Sequence, residues 1–247
     1  MSVVTTVAGT LETGPGRRTP PELERVQPVC RYEDLGRLDY VLTWDLQRKL
    51  VERRKMGSIE DQLLLVEHPP VITLGRNAKK TNLLLPEEQY CKIGIDLQPT
   101  DRGGDVTYHG PGQVVGYPIL DLREWKRDVV KYVRALEQVM IGTMSEFGIQ
   151  ADQAPGCTGV WVGGAKLAAI GVHISRWVTS HGFALNVAPQ MNHFRVIIPC
   201  GLHKPVVSMD QLLGQAPTRA EVLEVLVRRF GLVFGRRMEP AASSPTG

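Results

Sequence analysis

The chain has 247 residues, 43% of them hydrophobic and 22% charged, which is enough apolar matter for one large core and leaves no sign of a fibrous or disordered class. A formal net charge of +3, from 29 basic and 26 acidic side chains, lacks the concentrated basic stripe of a nucleic-acid surface. Cys30, Cys91, Cys157 and Cys200 stand far apart with no CxxC pair, so no metal site is expected and the thiols read as reduced. With no apolar run of about 18 residues and no secretory signal, the expectation is a cytoplasmic protein that does not engage a membrane.

Residues 1–28 are rich in Thr, Gly and Pro and read as a flexible extension, followed by one domain over 29–238 and a flexible tail over 239–247. Leu38, Leu42, Leu46 and Leu50, with Val41 beside them, recur at helical spacing and predict a surface helix with one buried stripe. Gln62 to Val66 and Val71 to Leu74 are short apolar runs separated by Glu67-His-Pro-Pro70, which predicts two strands joined by a turn. A Gly-rich segment, Arg102 to Gln113, leads into a strand from Val114 to Leu120. Asp128 caps a helix whose buried face is marked by Val129, Val133, Leu136, Met140 and Met144. Strands then run over 159–163, 166–175 and 177–187, with Gly163-Gly164 as a hairpin turn. Thr218 and Glu221 form a capping box that opens a last helix. These elements predict an α+β fold: a mixed, mostly antiparallel sheet flanked by helices.

Two residues stand out chemically. Cys200 lies between Pro199 and Gly201, so its thiol sits on a pre-set corner, as an exposed reactive cysteine would; a cysteine that merely packs at a strand end would read the same way. Lys166 interrupts the otherwise apolar run Val160 to Val172. Strand periodicity puts Ala168 and Ile170 on its face and Leu167 and Ala169 on the other, so burial should favour the neutral amine and make it a candidate base. A lysine snorkelling to water from the Gly163-Gly164 turn is the alternative. The small residues Ala165, Ala168, Ala169 and Gly171 leave volume for a slender chain or for close packing. Arg102 to Gln113 carries neither a P-loop nor a dinucleotide fingerprint, and its His109 could handle protons or hold a turn.

Four segments in order, Arg102-Gly-Gly-Asp-Val-Thr-Tyr-His-Gly-Pro-Gly-Gln113, Gly164-Ala-Lys-Leu-Ala-Ala-Ile-Gly171, His181-Gly-Phe-Ala-Leu-Asn-Val187 and Pro199-Cys-Gly-Leu202, strongly resemble the lipoyl(octanoyl) transferases. The resemblance runs from about Leu38 to Phe230. It implies a fold similar to the catalytic domain of biotin and lipoate protein ligases. It implies that octanoate passes from acyl carrier protein to a specific lysine of the lipoyl domains of 2-oxoacid dehydrogenase complexes and of the glycine cleavage H protein. Carried over position by position, Cys200 would form the acyl thioester and Lys166 would serve the acceptor amine. The substrate pocket would be lined by Arg102, Gly103, Gly104, Asp105, Val106, Thr107, Tyr108 and His109, by Ala169, Ile170 and Gly171, and by Gly182, Phe183 and Ala184. No cofactor and no metal are implied.

Thioester exchange is nearly balanced in energy, so such a reaction needs no ATP, and the attacking amine needs a base. Arg53, Arg54, Lys55, Lys79 and Lys80 are expected either to steer an acidic carrier or simply to solvate the surface. An ATP-dependent lipoate or biotin ligase is the closest alternative, separated by its having no need of Cys200; a non-catalytic carrier-binding module is the other.

Overall fold

The computed structural model describes residues 27–198 and 204–241. In its first half the elements are β1 (Val29–Arg37), α1 (Tyr40–Lys55), β2 (Asp61–Glu67), β3 (Val71–Leu74), α2 (Glu87–Lys92), β4 (Asp96–Pro99), β5 (Val106–His109) and β6 (Gln113–Ile119). In its second half they are α3 (Val129–Glu146), β7 (Asp152–Ala154), β8 (Cys157–Val162), β9 (Ala165–Ser175), β10 (Val178–Asn186), α4 (Met209–Leu213), α5 (Arg219–Phe234) and β11 (Arg237–Pro240). Eight strands form one sheet in the order β11-β1-β2-β6-β10-β9-β8-β7, and three form a second, β4-β3-β5. Among the strands of the described residues, β1 with its two neighbours and β3 with β4 run parallel and the other pairings are antiparallel, so the fold is α+β with mixed, mostly antiparallel sheets.

Period-2 alternation assigns the two faces of the large sheet. Leu63 and Leu65 of β2 join Leu136 and Met140 of α3 and Leu226 and Phe230 of α5 in the main core, whereas Leu64 and Val66 pack with Val115 and Tyr117 toward α1. Both faces are covered, which is why β2 reads as a continuous apolar run. The two predicted strands β2 and β3 do not form a hairpin. His68-Pro69-Pro70 removes two ladder donors, and the chain leaves the large sheet there to start the small one.

Three further expectations are corrected. The buried stripe of α1 is Tyr40, Thr43, Gln47, Val51 and Arg54, while Leu42 is 59% exposed. The stripe is rotated because polar groups on it do work at the sheet: Gln47 Oε1 accepts the backbone N–H of His181, and Arg54 donates to Asp61 with both side chains buried. Arg54 is thus withdrawn from any steering role. Glu239 and Pro240, read as tail, belong to β11 and pair with β1.

The region that positions the later site is the β8–β9 hairpin. Gly163 and Gly164 turn it with φ of 55° and 83°, a two-residue turn that needs left-handed backbone at both positions. Val162 pairs with Ala165 and Trp161 with Lys166, but Val160 pairs with Ala168, so Leu167 is an extra residue in β9. This bulge breaks the alternation between Lys166 and Ala168. Opposite it, Gly159 has φ 124°, and a Cβ there would lie 2.6 Å from the Ala168 carbonyl oxygen. The Gly159 N–H donates instead to Glu137 Oε1 on α3 at 3.0 Å. Glu137→Leu should leave that N–H buried without an acceptor and cost about 1–3 kcal/mol in denaturant unfolding; a loss below about 0.5 kcal/mol would show that the bulge does not depend on it.

Candidate active site

Between the two sheets lies a cleft lined by both of them. Its floor is the antiparallel pairing of β9 with β10, which sets Ala169 against Ala184 and Gly171 against Gly182. Two facing pairs of the smallest residues keep it open. Gly182 is also forced by packing, since a Cβ there would lie 2.1 Å from the Gly116 carbonyl oxygen on β6. Ile170 and Phe183 complete the floor, and the opposite wall is made by Arg102, Gly104, Thr107 and His109, with Tyr40 of α1 at one side.

Four residues expected in the pocket do not line it. Gly103 donates its N–H to the Val172 carbonyl and so ties the wall to β9. Asp105 is spent on the backbone N–H groups of Lys79 and Val106 and on the Asn82 side chain. Val106 and Tyr108 are fully buried in the core of the small sheet, because alternation along β5 sends them away from Thr107 and His109. Arg102 acts on the wall itself, donating to the Thr73 hydroxyl and carbonyl and to the Asp105 carbonyl.

A second, narrow pocket shares Thr107, Ala169 and Ala184 with the first and is lined also by Lys166, Gln113 and Asn186. Lys166 is therefore on the face of Ala169 and not, as simple alternation predicted, on that of Ala168; the Leu167 bulge is the reason. Its side chain is 7% exposed, with Nζ 4.8 Å from the Trp161 ring centroid. Both backbone groups of Lys166 are held by the 205–207 segment, through Pro205 O at 2.8 Å and Val207 N at 3.0 Å. Phe194 and Val206 connect this cavity to an open groove rimmed by Arg195 and Lys204. Cys200 lies outside the described residues. Among the other cysteines Cys30 is buried, Cys91 is exposed and Cys157 is half-buried, its sulfur 3.6 Å from Lys204 Nζ.

The far end of the cleft is polar. His181, in left-handed backbone at φ 54°, donates from Nε2 to Asp101 at 2.7 Å and packs against a tilted Trp44 ring and edge-to-face with Tyr117. That bond holds the Asp101 carboxyl at about 2, while burial, outweighing Asp101, pulls His181 below the usual histidine range. His68 donates from Nδ1 to the Leu38 carbonyl and accepts the Tyr117 hydroxyl at Nε2, both at 2.8 Å, and burial lowers it to about 4. Burial, reinforced by His68 and Arg102, also lowers His109. The cleft end is thus a set of neutral imidazoles.

Tyr40, Tyr117, His181, Gln113 and Asn186 line the two cavities and were not singled out from sequence. For four of them the signal was present: Gln113, Tyr117, His181 and Asn186 are polar side chains in or beside apolar or Gly-rich runs, and His181 and Asn186 bracket the segment whose middle was chosen.

Because the unfolded chain takes up a proton on each histidine near pH 6.5 and the folded chain holds His68 neutral down to about pH 4, acid favours unfolding across that window. Stability should fall between pH 7 and 4.5. His68→Gln, which keeps a donor and an acceptor, should lessen that fall by roughly 2–3 kcal/mol in denaturant titrations at the two pH values; an identical fall would contradict the buried neutral ring.

Over residues 39–231 the sequence matches the family described as Lipoyl protein ligase A/B catalytic domain. An octanoyltransferase of Solibacter usitatus is 56% identical over 214 residues, 87% of this chain and 97% of that protein. One from Koribacter versatilis is 52% identical over 81% of this chain and 82% of its own length. Among solved structures, a bi-partite lipoate protein ligase of Thermoplasma acidophilum superposes with a TM-score of 0.68 over 88% of each chain at 13% identity. A biotin protein ligase of Aquifex aeolicus reaches 0.52 over 83% of this chain and 70% of its own, at 14% identity. These structural likenesses establish a shared fold.

Proposed function

Since the chain belongs to the lipoyl protein ligase A/B catalytic-domain family, we propose that it is an acyltransferase moving an octanoyl group onto a lysine of lipoyl-domain proteins, with acyl carrier protein as donor and a Cys200 thioester as intermediate. The observation that carries this reading is the pair of adjoining pockets that share Thr107, Ala169 and Ala184, the first floored by the Ala169–Ala184 pairing and the second lined by Lys166. Their small, mostly apolar floor suits an unbranched chain, because alanines and glycines leave space that the protein does not fill itself.

In the first half-reaction the Cys200 sulfur attacks the donor thioester carbon, and the carrier thiol leaves with a proton. In the second, the acceptor amine attacks the enzyme-bound acyl carbon, the carbon–sulfur bond breaks, and Lys166 passes the amine proton to sulfur. Such proton handling is worth about 10² to 10⁴ in rate. The acceptors are the lipoyl domains of 2-oxoacid dehydrogenase complexes and the glycine cleavage H protein, which would enter by the groove beside Arg195 and Lys204, since it shares Phe194 and Val206 with the Lys166 pocket. Against an ATP-dependent ligase stands the naming of the relatives at 56% and 52% identity as octanoyltransferases. No helix among the described residues is long and apolar enough to cross a membrane, which accords with a donor and an acceptor in the cytoplasm.

Mixed with octanoyl carrier protein, the wild type should gain one octanoyl mass that hydroxylamine removes, and Cys200→Ala should gain none; a hydroxylamine-labile adduct on Cys200→Ala would refute the intermediate. Lys166→Ala should slow transfer by about 10² to 10⁴, so near wild-type rates from pH 6 to 9 would remove its role.

A further inference from the structure

We propose that Gln113 Oε1 accepts a hydrogen bond from the incoming amine of the acceptor lysine and thereby sets its line of approach to the acyl carbon, an inference that rests on the acyl-enzyme reading above. Gln113 opens β6 and is 2% exposed. Its amide is fixed in orientation, because Nε2 donates to Asn186 Oδ1 at 2.9 Å and to the Tyr108 carbonyl at 3.3 Å. Both protons are used, and Oε1 is left buried without a partner among the described residues. A buried acceptor in that condition is costly and uncommon, and a donor that arrives with the acceptor lysine would satisfy it.

The position matches the need. Gln113 lines the same cavity as Lys166. Asn186 Nδ2 in turn donates to the Val207 carbonyl, and the Val207 N–H donates to the Lys166 carbonyl, so one run of hydrogen bonds fixes the Gln113 amide relative to the Lys166 backbone. A carbonyl oxygen can only accept. The thioester carbonyl offers it no proton, whereas a primary amine attacking through its lone pair has two N–H groups to direct. As the nitrogen–carbon bond forms and the carbon–sulfur bond breaks, one proton leaves through Lys166 to sulfur; the other stays on the product amide nitrogen, where Gln113 holds it. His109 is the competing claimant. Its Nδ1 also lacks a partner within hydrogen-bond geometry, although it sits near enough to the Gln113 side chain for that amide to favour the protonated ring.

Gln113→Met keeps length and volume and deletes the acceptor. With the two half-reactions timed separately by quenched intact mass, the variant should acylate from octanoyl carrier protein within about twofold of wild type and transfer to a lipoyl domain about 10- to 100-fold more slowly, even at saturating acceptor. Gln113→Glu, which retains an acceptor oxygen, should recover much of that loss. Unchanged transfer, or equal slowing of both half-reactions, would assign Gln113 to His109 and the acyl slot and overturn the proposal. If Gln113→Met does not fold, Asn186→Leu, which releases the amide, is read in the same way: slowed transfer with intact acylation supports it, and any other pattern sinks it. A wild type that forms no thioester would instead defeat the acyl-enzyme reading, leaving the two failures distinct.

Discussion

One extra residue in one strand decides where the amine of this site points. Without Leu167 bulging from β9, strict alternation would carry Lys166 to the side of Ala168, into the core shared with α3 and α5. With it, Lys166 faces the cleft. The surroundings of the bulge are correspondingly specific: a glycine opposite it whose Cβ would collide, a buried carboxylate that takes the N–H the ladder cannot, and the 205–207 segment closing both backbone groups of Lys166. Bulges of this kind are typical beside sites where a side chain must be re-aimed.

The rest of the site follows from two physical requirements. A slot for a thin apolar chain needs a floor without side-chain bulk, and the β9–β10 register provides it by pairing alanine with alanine and glycine with glycine. The charge on this wall is confined to Arg102, which is spent on Thr73 and Asp105, while the imidazoles are held toward the neutral form: burial wins over the Asp101 carboxylate at His181, and hydrogen bonds to Leu38 and Tyr117 satisfy His68 as a neutral ring. Strain is accepted at one point only among the non-glycine residues of the cleft: His181 adopts left-handed backbone and has its N–H taken by Gln47 of α1.

Much of the architecture was legible locally. The Asp128 cap, the Thr218–Glu221 capping box and the Gly163-Gly164 turn all appear as read, because each is a short-range pattern whose chemistry does not depend on distant residues. What failed depends on tertiary context. Periodicity cannot see a one-residue insertion such as Leu167, so it assigned Lys166 the wrong neighbours. It also could not see that α1 buries Thr43 and Gln47 in place of Leu42, since the partner that makes Gln47 worth burying lies 134 positions away at His181. Tyr40, Tyr117, Gln113 and Asn186 went unselected for the same reason: each contributes one group to a wall that exists only once β5, β6, β9 and β10 have assembled.

The most direct test of this account is a crystal structure of the protein with an octanoyl thioester or octanoate bound. The chain should lie over Ala169 and Ala184 with its carboxyl carbon beside Lys166 Nζ and its methyl end toward His181. An acyl chain lodged instead in the open groove beside Arg195, with the Ala169–Ala184 slot empty, would contradict it.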